Sequence, residues 1–151
     1  MGMKKDERVA IVSPNTPMFL ESFYGIAGAG CISLCINYKL TPNGITQKCG
    51  FELIGEICWI LEFAKPQVVL VDREYKDLVQ GYKCKRIIVD DDVDGTTGEY
   101  EDIVRKGREI DRKRGGKGWD DLVIDDIEET DTMVLNCTSG TTSNPKVPNP
   151  T

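Results

Sequence analysis

Val9-Ala-Ile-Val-Ser-Pro-Asn-Thr-Pro-Met-Phe-Leu-Glu-Ser-Phe-Tyr-Gly-Ile-Ala-Gly-Ala-Gly-Cys-Ile-Ser-Leu-Cys-Ile-Asn-Tyr38 changes its hydrophobic period twice, and that change decides the fold. Val9 to Val12 is a short apolar run of the kind carried by a strand covered on both faces. Ser13-Pro14-Asn15 breaks it, and Thr16-Pro17 supplies an N-cap and a proline at the first helical position. Phe19, Leu20, Phe23, Ile26 and Ala27 then recur at helical spacing until Gly28 and Gly30 stop the pattern. From Cys31 the period falls to two, with Ile32, Leu34, Ile36 and Tyr38 on one face and Cys31, Ser33, Cys35 and Asn37 on the other.

The same alternation continues outward. Thr41-Pro42 repeats the cap-and-proline start, but Asn43-Gly44 signals a turn at once. A helix is expected from about Ile54, with Ile57, Ile60, Leu61 and Ala64 on one side, ending before Pro66. Val68 to Val71, Arg86 to Val89 and Met133 to Asn136 read as three more short strands. Strands alternating with helices predict an α/β fold, a mainly parallel sheet with flanking helices. Between Asp90 and Thr130 lies a charged region, with a helix expected near Tyr100 to Lys106 and a glycine-broken loop, Arg114-Gly-Gly-Lys-Gly118. No internal repeat is evident.

Composition narrows the function. The 151 residues suit one ordinary domain, and 40% hydrophobic with 29% charged residues is a globular balance. Histidine is absent, which removes Ser-His-Asp and Cys-His nucleophiles and histidine metal ligands from this chain. A net charge of −6 gives nucleic-acid binding little support. The one basic stretch, Arg105 to Lys117, lacks an aromatic ring and is interrupted by Glu109 and Asp111, so it reads as a solvated loop or helix face. The six cysteines show no C-x-x-C pair and sit mostly among aliphatic residues, which favours reduced core thiols. Asp90-Asp91-Asp92 with Asp94 lacks the spacing and glycine of a calcium loop and reads as a solvated turn. Trp59, Trp119, Tyr24, Tyr75, Tyr82 and Tyr100 form no stacking array and read as packing residues. Glu128, Glu129 and Asp131 read as an exposed approach to the last strand.

No secretory or myristoylation signal is visible, and the C-terminal Asn-Pro-Thr is no peroxisomal tripeptide. The longest uncharged run, Ser22 to Tyr38, has 17 residues and is too short and too glycine-rich to span a membrane. An intracellular, cytoplasmic location with no membrane span is the expectation.

Chemistry concentrates in Met133-Val-Leu-Asn-Cys-Thr-Ser-Gly-Thr-Thr-Ser-Asn-Pro-Lys146. A buried strand runs into a loop with five hydroxyls (Thr138, Ser139, Thr141, Thr142, Ser143), then a lysine. Gly140 lets backbone approach a ligand closely, N–H and hydroxyl groups donate to phosphate oxygens, and Lys146 adds a point charge. At the carboxyl end of a sheet strand, such a loop sits where open α/β folds bind ligands. A Walker A loop is excluded, because Pro145 stands where glycine is needed and Val147 where a hydroxyl is needed. Gly28-Ala-Gly30 ends a helix and lacks a third glycine, so it is no dinucleotide fingerprint. Spacing alone leaves a polyphosphate loop and a frayed polar tail both open.

Thr138-Ser-Gly-Thr-Thr-Ser-Asn-Pro-Lys146 resembles the phosphate-binding signature of the adenylate-forming (AMP-binding) enzymes, T-S-G-[ST]-T-[GS]-x-P-K-G. Arg8 to Pro17, Ala29 to Pro42 and Ala64-Lys-Pro-Gln-Val-Val-Leu-Val-Asp72 are similar to that superfamily's opening segments, in the same order. The nearest look is of the acyl-CoA synthetase branch that takes fatty or medium-chain acids. Two departures stand out: Ser143 replaces the commonest glycine, and Val147 replaces the glycine after the lysine. Residues 43–55 read as an insertion relative to the family.

The resemblance implies the opening subdomain of the family's N-terminal domain over residues 1–151, ending just after the phosphate-binding loop. It implies a reaction in which a carboxylate attacks the α-phosphate of Mg-ATP and coenzyme A then displaces AMP. Thr138, Ser139, Gly140, Thr141, Thr142, Ser143 and Lys146 would hold the phosphates, with no catalytic or metal-ligating residue of their own. ATP, Mg²⁺ and coenzyme A are the implied cofactors, and a carboxylic acid is the implied substrate. The family's adenine, acyl and catalytic-lysine motifs fall beyond residue 151, so the chain alone is expected to be inactive. Two other readings are a non-catalytic interaction fragment, self-associating through an uncovered sheet edge, and a free-standing nucleotide-binding module.

Overall fold

β1 (Arg8–Val12) lies at the centre of a parallel sheet because its residues are buried on both faces: Ala10, Ile11 and Val12 have no exposed surface. A computed structural model of the chain describes residues 2–40, 56–91, 97–118, 128 and 130–137. Along the chain β1 is followed by α1 (Pro17–Gly28), β2 (Ile32–Ile36), α2 (Glu56–Ala64) and β3 (Val68–Asp72). A 3₁₀ helix (Arg73–Val79), β4 (Arg86–Asp90), α3 (Glu99–Lys113) and β5 (Val134–Asn136) complete the described elements. The strand order is β4-β3-β1-β2-β5, and every pairing is parallel. The expected α/β architecture is therefore the observed one.

Strand alternation divides the core into two layers. Ala10, Val12, Leu34, Ile36, Val69, Val71 and Leu135 face α2, whose Ile57, Cys58, Ile60, Leu61 and Ala64 are all buried. Val9, Ile11, Val68, Leu70 and Ile88 face the other side, where Met18 and Ile26 of α1 pack and Tyr100 and Ile103 of α3 lean in. Covering both faces explains why β1 and β3 read as unbroken aliphatic runs instead of alternating ones.

The ends of α1 follow the sequence. The Thr16 side chain accepts from the Phe19 N–H at 3.3 Å, and Pro17 opens the helix. Gly30, at φ +66°, carries the left-handed residue that closes it, its N–H donating to Ala27 O at 2.9 Å. We expect Thr16→Ala to cost about 1 kcal/mol of stability, measured by urea unfolding against the unsubstituted chain. Arg8 ties β1 to the far end of α2, its Nη1 donating to Ala64 O at 2.7 Å and satisfying a carbonyl left over at the helix terminus.

Several expectations are corrected. Leu20, placed on the apolar stripe of α1 by spacing, is 60% exposed; the buried stripe is Met18, Ser22 and Ile26. The difference arises because the sheet receives the i, i+4, i+8 row beside Leu20. α3 runs to Lys113 and absorbs most of the basic stretch, with acidic residues in its first turn and basic ones in its last, favourable for the helix dipole. Asp90, read as part of a solvated turn, is 4% exposed at the end of β4. The 3₁₀ helix was not foreseen; Asp72 starts it by accepting from the Glu74 N–H at 2.8 Å. Cys31, Cys35, Cys84 and Cys137 are free thiols as expected, but Cys58 is disulfide-bonded. The turn at Asn43-Gly44, the 43–55 insertion, Asp92, Asp94, Trp119 and Glu129 lie outside the described residues.

Candidate functional site

Parallel pairing puts the carboxyl ends of all the described strands at one edge of the sheet. There β1 delivers Ser13, β2 delivers Asn37 and Tyr38, β3 delivers Asp72, β4 ends at Asp90, and β5 delivers Cys137. β5 is short, and its register on β2 is Ser33↔Val134, Leu34↔Leu135 and Cys35↔Asn136. The Ser33 N–H donates to Met133 O at 2.9 Å and starts this ladder. Leu135 holds the strand to the α2 layer with 3% of its surface exposed.

The approach to β5 is pinned as well. Glu128 N–H donates to Asp131 Oδ2 and Asp131 N–H donates to Glu128 O, each at 3.0 Å. Lys5 Nζ lies 3.0 Å from the same Asp131 oxygen. The backbone hydrogen bond from Glu128, and then Lys5, hold the Asp131 carboxyl below its ordinary range. Glu128 and Asp131 thus form a tethered approach to the strand.

Next to β5, β2 ends in a tight turn. The Lys39 N–H donates to Asn37 Oδ1 and the Leu40 N–H to Asn37 O, both at 3.0 Å. Tyr38 packs on Tyr75 of the 3₁₀ helix with ring centroids 4.8 Å apart, and the Lys39 ammonium lies 5.7 Å from the Tyr38 ring. On β1, Ser13 Oγ donates to Pro14 O at 2.9 Å and sits 3.1 Å from Thr16 Oγ1. These are turn-forming contacts with polar groups facing the loop edge of the sheet.

None of the described thiols is a nucleophile in waiting. Burial pushes the Cys137 thiol up to about 11, with the neighbouring Cys35 adding to it, and burial raises Cys35, Cys31 and Cys84 too. A protonated, half-buried thiol is inert as a nucleophile.

The residues singled out by sequence, Thr138, Ser139, Gly140, Thr141, Thr142, Ser143 and Lys146, lie outside the described residues. The described chain reaches Cys137, at the carboxyl end of β5. Sequence reading missed the grouping of Ser22, Glu21, Tyr100 and Arg108 around a cavity between α1 and α3. Tyr100 was read as packing only. Its helical spacing to Arg108, two turns on, was the available signal. Among the described residues the aromatic contacts are pairs: Phe23 with Tyr24 edge-on at 5.7 Å, Tyr38 with Tyr75, and Trp59 stacked on Phe63 at 5.2 Å.

Known proteins share this arrangement. The chain is 29% identical to 4-hydroxybutyrate--CoA ligase 2 of Metallosphaera sedula, over 96% of this chain and 25% of that protein. It is 25% identical to the medium-chain-fatty-acid--CoA ligase of Ectopseudomonas oleovorans, over 97% of this chain and 25% of that protein. The structure of a Mycobacterium tuberculosis fatty acyl CoA synthetase superposes with a TM-score of 0.64 at 19% identity, covering 97% of this chain and 24% of the other. That likeness shows a shared fold. The chain spans about a quarter of the length of the curated relatives it matches. With the model of the AMP-binding enzyme family matching residues 1–147, this chain belongs to the AMP-binding enzymes.

Proposed function

We propose that the chain supplies the part of an AMP-forming acyl-CoA ligase that grips the phosphate tail of ATP. The observation that carries this reading is the placement of β5: it pairs parallel to β2 and ends at Asn136, on the sheet edge where open α/β folds take ligands. Thr138 to Ser143 and Lys146 follow in sequence. Their donor chemistry fits a polyphosphate: a glycine, five hydroxyls and an ammonium, with no carboxylate among them. Among the described residues no group of three or more carboxylate, thiol or imidazole side chains could hold a metal ion.

In this reading Thr138, Ser139, Thr141, Thr142 and Ser143 orient the β- and γ-phosphates by hydrogen bonding, and Gly140 admits them against the backbone. Lys146 offsets charge as pyrophosphate leaves. ATP supplies the leaving group, a carboxylic acid the nucleophile and coenzyme A the accepting thiol. Residues 1–151 form one partial domain in which 43–55 is an insertion. A cytoplasmic location belongs to the same reading. So does self-association through the outer edge of β5, which pairs with β2 alone among the described residues. Among those residues no helix is long and apolar enough to cross a membrane.

The 151 residues alone are expected to bind ATP weakly and not to turn it over, since a loop without its opposing pocket wall recovers little of the cost of ordering it. Equilibrium dialysis with ATP and Mg²⁺ should give saturable binding that falls about tenfold in Lys146→Ala. Pyrophosphate release with fatty or aryl acids should stay at background. Absent binding at millimolar ATP, or an unchanged Lys146→Ala, would sink the reading of the loop. Turnover by the isolated chain would overturn the expectation of inactivity.

A further inference from the structure

α1 and α3 lie on the same face of the sheet without closing over it, and between them opens a slot of about 700 Å³. Its floor is the sheet itself: Val9, Val68, Leu70 and Ile88. Leu20 and Tyr24 on α1, each 60% exposed, stand at the lip. The Tyr24 ring is set edge-on to Phe23 at 5.7 Å. An apolar floor with large apolar side chains exposed beside it marks an interaction surface.

Charge decides what can cover it. The slot carries one carboxylate and one guanidinium, Glu21 on α1 and Arg108 on α3. Tyr100 Oη donates to Glu21 Oε2 at 3.2 Å and so steadies the carboxylate. Arg108 makes no ion pair among the described residues. Farther along the same seam the signs stay even, with Glu101 and Glu109 against Arg105 and Arg112. Such a surface selects neither an anion nor a cation. It does match itself, because Glu21 and Arg108 stand on different helices. A two-fold axis running along the slot lays α1 of one copy over α3 of the other, and any pair made once across that axis is made twice.

We propose that the α1–α3 face is a contact between two copies of this chain, with Glu21 of each against the partner's Arg108. Leu20 and Tyr24 of each copy lie over the partner's Ile103 and Val104, which closes both slots. Tyr24 is the anchor, since an aromatic side chain buried at the centre of an interface carries a large share of its affinity. The charge pairs set the register and exclude other partners more than they add affinity. The slot lies over β1, β3 and β4, whereas β5 is at the other end of the strand order. The contact therefore depends neither on the phosphate-loop reading nor on association through the outer edge of β5.

The test is sedimentation equilibrium of the 151-residue chain from about 1 to 200 µM, where a monomer–dimer equilibrium with a micromolar Kd is expected. Tyr24→Asp, at an exposed position, should weaken the dimer at least about tenfold with the far-ultraviolet circular dichroism retained. Glu21→Arg and Arg108→Glu should each weaken it about tenfold. Mixing those two singly reversed chains should restore a dimer, now a heterodimer, to within about threefold of the original Kd, because each reversed charge then meets its opposite across the axis. A purely internal effect of either substitution would not be relieved by mixing. Lys146→Ala should leave the equilibrium untouched. A chain that stays monomeric over the whole range overturns the proposal and leaves the face to the remainder of a longer AMP-binding chain. A dimer indifferent to Tyr24→Asp overturns it as well and moves the contact elsewhere, with the outer edge of β5 the next candidate. Reversed chains that fail to recover on mixing overturn the pairing of Glu21 with the partner's Arg108, and the two-fold with it.

Discussion

Leu34→Ala lowers the unfolding free energy by about 3 kcal/mol, within the 2–5 kcal/mol typical of a buried leucine truncated to alanine. Leu34 has no exposed surface, and across the sheet it is flanked by Ala10 of β1 and Leu135 of β5 in the α2-facing layer. Ala10 is too small to swing into the space, and Leu135 sits on a three-residue strand whose described pairing is to β2 alone. The cavity therefore stays open or β5 lets go. The second outcome has its own signature. Amide exchange at Val134 to Asn136 should accelerate beyond the global loss of stability, because that strand opens locally at lower free energy than the central ones. Urea unfolding measures the first effect and hydrogen exchange the second. Leu20→Ala is the control: at 60% exposure it should change stability by less than about 0.5 kcal/mol. Equal losses for the two substitutions would mean that the α2-facing layer is not the core that holds β5.

That pair of leucines also shows what sequence can and cannot carry. Leu34 was legible because a strand's period of two leaves no choice of face once Ile32 and Ile36 are placed beside it. Leu20 was misread because a helix one turn wide offers several apolar rows. The sheet selects among them through contacts with Val9 and Ile11, which helical spacing does not encode. α3 was read as ending at Lys106 for a related reason: it has no buried residue, so its length rests on charge pairs and dipole complement instead of an apolar stripe. The 3₁₀ helix depends on one Asp72 side-chain bond. The hydroxyl-rich stretch from Thr138 to Lys146 follows β5 in sequence but lies outside the described residues, so the structure bears on the strand before it and not on the stretch itself. The slot between α1 and α3 was invisible because its floor joins β1, β3 and β4, which are separated in sequence by up to eighty residues.

Alkaline pH should destabilise the fold through two tyrosines. Burial, foremost, pushes both Tyr82 and Tyr100 up to about 12, from an ordinary value near 10. Below pH 10 the folded and unfolded chains both hold these protons, and the contribution to stability is fully present. Between pH 10 and 12 the unfolded chain releases them first and so binds fewer protons than the native one. Stability then falls as pH rises, by about 1–3 kcal/mol per residue over that window. Tyr82 carries the firmer share, being 7% exposed with its hydroxyl donating to Pro66 O at 3.4 Å. Deprotonation would place a phenolate against that carbonyl and under α2, with no cation among its partners to offset it. Tyr82→Phe should lose about 1 kcal/mol at pH 7 with the hydrogen bond and then show a shallower decline above pH 10. Tyr100→Phe should flatten the decline by less, since that ring is only partly covered. In tyrosinate absorbance, two of the five tyrosines should ionise about two pH units late in the native chain and at the ordinary value in urea. If Tyr82→Phe leaves the alkaline limb of the stability curve unchanged, the ring is not held in the closed layer beneath α2, and the packing of the sheet's outer face at β3 and β4 must differ from that described.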